Sequence, residues 1–102
     1  MSILHTVNKS PFTNNVLKTC LEMCSESDSI LFLEDGVYGT MPNAPLNDLL
    51  LAHVNRGTNV FALSNDVQAR GLSQKISDFI QLVDYEGFVK LATHHRCIQS
   101  WY

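Results

Sequence analysis

Five short apolar runs, rich in β-branched residues, recur along the chain at Ile3–Val7, residues 29–33, Asn59–Leu63, residues 79–83 and Cys97–Trp101. Segments with helical spacing or helix punctuation fill the intervals between them. This alternation constrains the fold more than any other feature, because strands interleaved with helices pair in parallel and become covered on both faces. Ile30-Leu31-Phe32-Leu33 does not alternate with polar residues, as expected of a central strand. The fifth run is short and polar enough to lie at an edge. The pattern predicts an α/β fold around a mostly parallel sheet of five strands.

The helix signals are local. Ser10-Pro11 reads as a start, with Ser10 capping free amides and Pro11 at the first helical position, and the helix is expected to run to about Cys24. A second begins near residues 43–45, sets Leu46, Leu49, Leu50 and Val54 on one stripe, and stops at Gly57. Ser64-Asn65-Asp66 is placed to cap a short helix ending at Gly71. Asp84 is placed to cap a last one carrying Phe88, Leu91 and Ala92. No linker, repeat or low-complexity segment is visible.

A chain of 102 residues suffices for one hydrophobic core, so residues 1–102 are expected to form a single domain. Apolar residues make up 45% and charged residues only 17%, less polar surface than a solitary soluble domain usually carries, which hints at a partner. A net charge of −3 offers phosphate backbones no general attraction, so direct nucleic-acid binding is not expected. No apolar run approaches bilayer-spanning length and no basic stretch leads into an apolar leader, so the expectation is a cytoplasmic protein with no membrane association. Cys20, Cys24 and Cys97 are odd in number and lack disulfide-framework spacing, which fits free thiols in a reducing compartment.

Cys20 and Cys24 lie four apart, within the stripe that Phe12, Val16, Leu17 and Leu21 form on the first helix. By spacing alone they read as core, since free cysteine packs as a small hydrophobe and a mid-helix thiol lacks the N-terminal amides that lower its pKa. The three cysteines with a histidine do not make the close pairs of a structural zinc module, and no metal site or cofactor motif is assigned. His94 and His95 read as a solvated cap at the end of the last helix, His53 as a partly buried helix residue, and His5 as a hydrogen-bonded core or interface histidine. The loop at residues 34–39 follows the second strand, where ligands of open α/β sheets gather, but it lacks a phosphate-binding fingerprint and reads as a structural turn. Trp101 and Tyr102 suit either core packing or an interface.

With these segments in place, Ile3-Leu4-His5-Thr6-Val7-Asn8-Lys9-Ser10-Pro11-Phe12, the turn at residues 34–39, Val60-Phe61-Ala62-Leu63-Ser64-Asn65-Asp66, Ala69-Arg70-Gly71-Leu72, Asp84-Tyr85 and the terminal Trp101 segment resemble the TusB/DsrH family of sulfur-relay subunits, in order and over the whole chain. The resemblance implies a three-layer α/β/α sandwich and a cytoplasmic heterohexamer with DsrE-like and DsrF-like subunits, two copies of each. In the DsrEFH branch, which Cys20 favours, persulfide sulfur is relayed during sulfur oxidation, including to a DsrC-like carrier. Cys20 is then the candidate catalytic residue, attacking a donor persulfide and surrendering the outer sulfur to another thiolate. In the TusB branch the complex delivers sulfur for 2-thiolation of the tRNA wobble uridine, and this chain is a non-catalytic assembly subunit; in both branches the resemblance implies that the principal active cysteine belongs to the DsrE-like or TusD-like subunit. An autonomous enzyme is disfavoured, because no complete set of nucleophile, base and orienter is present.

Overall fold

The computed structural model describes residues 2–102. In chain order the elements are β1 (Ile3–Val7), α1 (Val16–Met23), β2 (Ser29–Phe32), a 3-10 helix (Glu34–Thr40), α2 (Asn47–Asn55), β3 (Asn59–Leu63), α3 (Ser64–Ala69), β4 (Gln81–Val83), α4 (Tyr85–His94) and β5 (Cys97–Trp101). The strands form one sheet in the order β4-β3-β2-β1-β5, and every pairing is parallel. The continuously apolar β2 is central and fully buried, and β5 is an edge, as its composition predicts.

Register assigns each side chain to a face. Val7 pairs with Phe32 and with Trp101, and Phe32 pairs with Ala62, so these four point the same way, along with His5 and Ile30. On that side Val7, Ile30, Phe32 and Ala62 form the core with Leu17, Cys20 and Leu21 of α1, Leu50 of α2 and Val67 of α3. Leu4, Thr6, Leu31 and Ile98 face the other way. The chain lays down β1 to β4 in one direction and then crosses back to β5, so right-handed crossovers set α1, α2 and α3 on the first face and α4 on the second. A contact of 2.9 Å between His95 Nε2, at the end of α4, and Ser29 Oγ, which shares the Leu31 face, ties α4 there. The α/β/α layering is therefore asymmetric. α4 alone forms one layer and buries none of its residues completely, leaving Tyr85 and Val89 exposed.

Helix starts differ from the sequence signals where polar side chains compete for the backbone. Ser10 Oγ accepts from the Phe12 amide and caps only a turn; α1 begins at Val16, whose amide is held by Asn14 Oδ1 at 2.8 Å. Phe12 is consequently exposed and outside the stripe that Leu17, Cys20 and Leu21 form. α2 starts at Asn47, after a left-handed Leu46 (φ 68°); Leu50 and His53 are buried, Leu46 and Val54 pack against the core, and of the expected stripe only Leu49 faces water. Asp66 caps nothing in α3; its Oδ2 accepts from the Glu34 amide at 2.7 Å, at a position where Glu34 itself has φ 51°. Gly71, just past α3, and Gly57, just past α2, do have the positive φ of a helix stop, and Asp84 does cap α4, accepting from the Gly87 amide at 2.8 Å.

The 3-10 helix passes so close to the end of β1 that a Cβ on Gly36 would collide with the backbone carbonyl of Val7. That carbonyl also accepts from the Leu33 amide at 3.1 Å, so it cannot retreat cheaply. Gly36→Ala is expected to lower the unfolding free energy by roughly 1–3 kcal/mol, seen as a lower urea midpoint at unchanged slope.

Candidate functional site

The densest buried polar cluster lies where β1, β2 and β5 meet. Asp28 ends the loop before β2, and the pairing of Leu4 with Ser29 sets its carboxylate beside the start of β1. Its Oδ1 accepts from the Ile3 amide at 3.0 Å, and its Oδ2 accepts from the Ser25 amide at 3.0 Å and from His5 Nε2 at 2.8 Å. Across the imidazole, Trp101 Nε1 donates to His5 Nδ1 at 3.0 Å, with the rings stacked at 6.1 Å between centroids. An indole N–H can only donate, so Nδ1 bears the lone pair and Nε2 bears the proton given to Asp28. The histidine is therefore held neutral, in one tautomer. Burial pushes the Asp28 carboxyl up, but the hydrogen bonds from Ser25, His5 and Ile3 outweigh it and leave the group below the usual carboxylate range.

The thiols sit beside this cluster. Cys20 is wholly buried, Cys24 half-buried and Cys97 exposed. Burial, reinforced by the neighbouring Cys24 and Asp28, pushes the Cys20 thiol up to about 12. Burial and Asp28 push Cys24 up to about 11, against a lowering contact from Thr58. Both thiols therefore stay protonated at neutral pH, the opposite of the electropositive setting that makes a cysteine reactive. The ligating atoms of His5, Cys24 and Asp28 all lie within 4.8 Å of one another. That spacing would suit a cation, yet a metal on His5 Nε2 would move the ring proton to Nδ1, where it would face the indole N–H. As arranged, the cluster locks strands together.

The other sequence candidates are dispersed. The turn at residues 34–39 falls within the 3-10 helix, and Asp35 Oδ1 accepts from Arg70 Nε and Nη2 at 3.1 and 3.0 Å, which is structural work. His94 ends α4 exposed, whereas His95 joins the Leu91 carbonyl to Ser29. His53 is buried, and burial, helped by Arg56, lowers its pKa. Sequence reasoning read His5 as a hydrogen-bonded core or interface histidine, and the structure buries it, but it missed Asp28 and the role of Trp101. Register alone carries that information: Trp101 falls opposite Val7, two residues from His5 on the same face.

Fold and site together define a small all-parallel α/β fold in which the buried group Asp28, His5 and Trp101 serves strand alignment. A family model described as "DsrH like protein" matches residues 9–98. Proteins named TusB are similar over 97% of this chain and 100% of their own length: 38% identical in Yersinia enterocolitica, 36% in Escherichia coli K12 and 33% in Photorhabdus laumondii. Among solved structures, the ychN protein of E. coli superimposes with a TM-score of 0.87 at 11% identity, covering 98% of each chain, which shows the fold. A protein of unknown function from Methanobacterium thermoautotrophicum gives 0.73 at 14% identity, covering 96% of this chain and 97% of its own. The chain belongs to the TusB/DsrH family.

Asp28→Asn presents an amide N–H₂ where the carboxylate accepted, and is expected to destabilise the protein by roughly 1–3 kcal/mol at pH 7. Because the native carboxyl titrates below its unfolded value of about 3.9, its contribution is complete above that value and is lost as pH falls through the native one. The gap between wild type and variant should therefore narrow in acid, as measured by urea unfolding at pH 7 and near pH 3.

Proposed function

We propose that this chain is a non-catalytic assembly subunit of a cytoplasmic sulfur-relay complex of the TusB type, meeting DsrE-like (TusD-like) and DsrF-like partners and serving delivery of persulfide sulfur toward tRNA wobble-uridine 2-thiolation. The observation that carries this reading is the near-full-length likeness to TusB proteins at 33% and 38% identity. The enclosure of Cys20 supports a packing role for that thiol, leaving the transferable sulfur to a partner's cysteine. The exposed apolar residues Tyr85, Val89 and Ile98 support a partner-facing surface. Among the described residues no helix is long and apolar enough to cross a membrane.

The second reading is the DsrEFH-like relay in sulfur oxidation, with Cys20 accepting sulfur and a DsrC-like protein receiving it; the DsrH-like family match favours it. It needs Cys20 to be uncovered in the assembled complex, whereas in the chain exposure rises from Cys20 through Cys24 to Cys97.

Co-expression with its DsrE-like and DsrF-like partners is expected to return a stable hetero-oligomer; a persistent monomer beside abundant partners would overturn the assembly reading. Within that complex, Cys20→Ala is expected to retain sulfur transfer while losing about 1 kcal/mol of stability. Cys20→Ser, which buries a hydroxyl, should lose about 1–3 kcal/mol. Intact mass after persulfide loading decides the thiol: added sulfur on Cys20, with transfer lost in a folded and assembled Cys20→Ala complex, would establish the second reading instead.

A further inference from the structure

The two edges of the sheet are unlike. β4 offers three residues and is stopped at once by Asp84, the short and charged kind of edge that natural sheets use to refuse another strand. β5 offers five, pairs with β1 without a bulge, and carries neither charge nor proline. Cys97, Ile98, Gln99 and Ser100 are all exposed. Among the described residues nothing pairs with the outer side of this strand.

Register shows which backbone groups that side presents. The Val7 carbonyl accepts from the Leu33 amide, and the Ile3 amide donates to Asp28, so Ile3, His5 and Val7 turn their peptide groups toward β2. Leu4 and Thr6 therefore turn theirs toward β5. In a parallel ladder those two bond the β5 residues that lie opposite their neighbours, namely Cys97, Gln99 and Trp101. The N–H and C=O groups of Ile98 and Ser100 are left pointing outward. They flank Gln99 symmetrically, so a two-fold axis at Gln99 brings each Ile98 opposite a Ser100 with both hydrogen bonds of each pair formed. The same axis sets Cys97 against the second copy's Trp101, a thiol beside an aromatic ring, and Gln99 against itself, where two amides are compatible. No like charges meet along the strand.

We propose that β5 pairs antiparallel with β5 of a second copy of this chain, about a two-fold axis at Gln99, joining two five-stranded sheets edge to edge. The pairing closes, since it consumes the open edge of each copy and leaves only the guarded β4 edges outside. It also covers Ile98, an apolar side chain otherwise 47% exposed. The pairing rests on this chain alone and not on the sulfur-relay reading.

The full chain under reducing conditions is expected to show a concentration-dependent monomer–dimer equilibrium in sedimentation, a weak one because a single edge buries less area than a standard interface. Gln99→Glu and Gln99→Lys each set like charges across the axis from an exposed position. Each should raise the dissociation constant at least about tenfold, while an equimolar mixture of the two recovers association. Gln99→Cys in a Cys97→Ser background should form a disulfide-linked dimer on mild oxidation, because non-hydrogen-bonded antiparallel pairs lie about 4.5 Å apart at Cα. The wild type, with Cys97 opposite Trp101, should not. In hydrogen exchange the Ile98 and Ser100 amides should gain protection as concentration rises. A chain monomeric at every attainable concentration, charge variants that associate as the wild type does, or linkage through native Cys97 in place of position 99 would overturn the proposal. So would protection of Ile98 and Ser100 that arises only on adding DsrE-like and DsrF-like subunits, which gives the edge to a partner's strand.

Discussion

A carboxylate withdrawn from water is tolerated only where donors replace the water it loses, and Asp28 meets that condition with three: the amides of Ile3 and Ser25 and the imidazole of His5. Two of the donors come from β1 and the third from the loop after α1, so satisfying one side chain aligns the start of β1 with the entry to β2 and closes that loop. The second nitrogen of His5 then extends the constraint to β5 through Trp101, 96 residues away in sequence. A neutral histidine is the only member that can serve this chain of bonds, since it must accept on one side and donate on the other. The strand pairing β2-β1-β5 is thus specified by side-chain hydrogen bonds as well as by the backbone ladders.

That specification matters because the two faces of the sheet are unequally covered. Three helices and the 3-10 helix bury one face, and the core residues there are enclosed. The other depends on α4, which buries no residue completely, yet Leu4 and Leu31 beneath it are fully shielded. Hydrophobic burial on that side leaves Val89 and Ile98 in water, a poor arrangement for a solitary domain and a suitable one for a subunit on the proposed reading. His95, bonded to Ser29, keeps the helix seated where apolar packing is thin.

The strands were legible because parallel burial leaves an unmistakable composition; all five were expected within two residues, including the central place of β2 and the edge place of β5. Helix starts were less so. Ser10-Pro11 has the chemistry of a cap, but Asn14, four residues later, holds the first amide of α1, and local sequence does not say which wins. On α2 the expected stripe held at Leu46, Leu50 and Val54, which pack in or against the core, and failed at Leu49, which is exposed while His53 is buried. The polar cluster was legible only in part. His5 was expected to be hydrogen-bonded, in the core or at an interface, but its partners lie 23 and 96 positions away, and pairing them needs the strand register that spacing along the chain does not contain.

The same register bears on the thiols. Cys20 occupies the α1 stripe that rests on Ile30 and Phe32, so uncovering it would mean lifting α1 from the sheet. The loop leaving α1 is tied at Ser25 to Asp28, and Asp28 is tied to β1, so such a movement would strip donors from a buried carboxylate as well as open the core. With burial pushing its pKa up to about 12, the Cys20 thiol stays protonated at neutral pH. Sulfur relay needs a thiolate that a second protein can approach, and both requirements run against what holds this domain together. On the proposed reading the sulfur therefore passes through a partner's cysteine, and this chain contributes a rigid surface whose alignment Asp28 and His5 maintain.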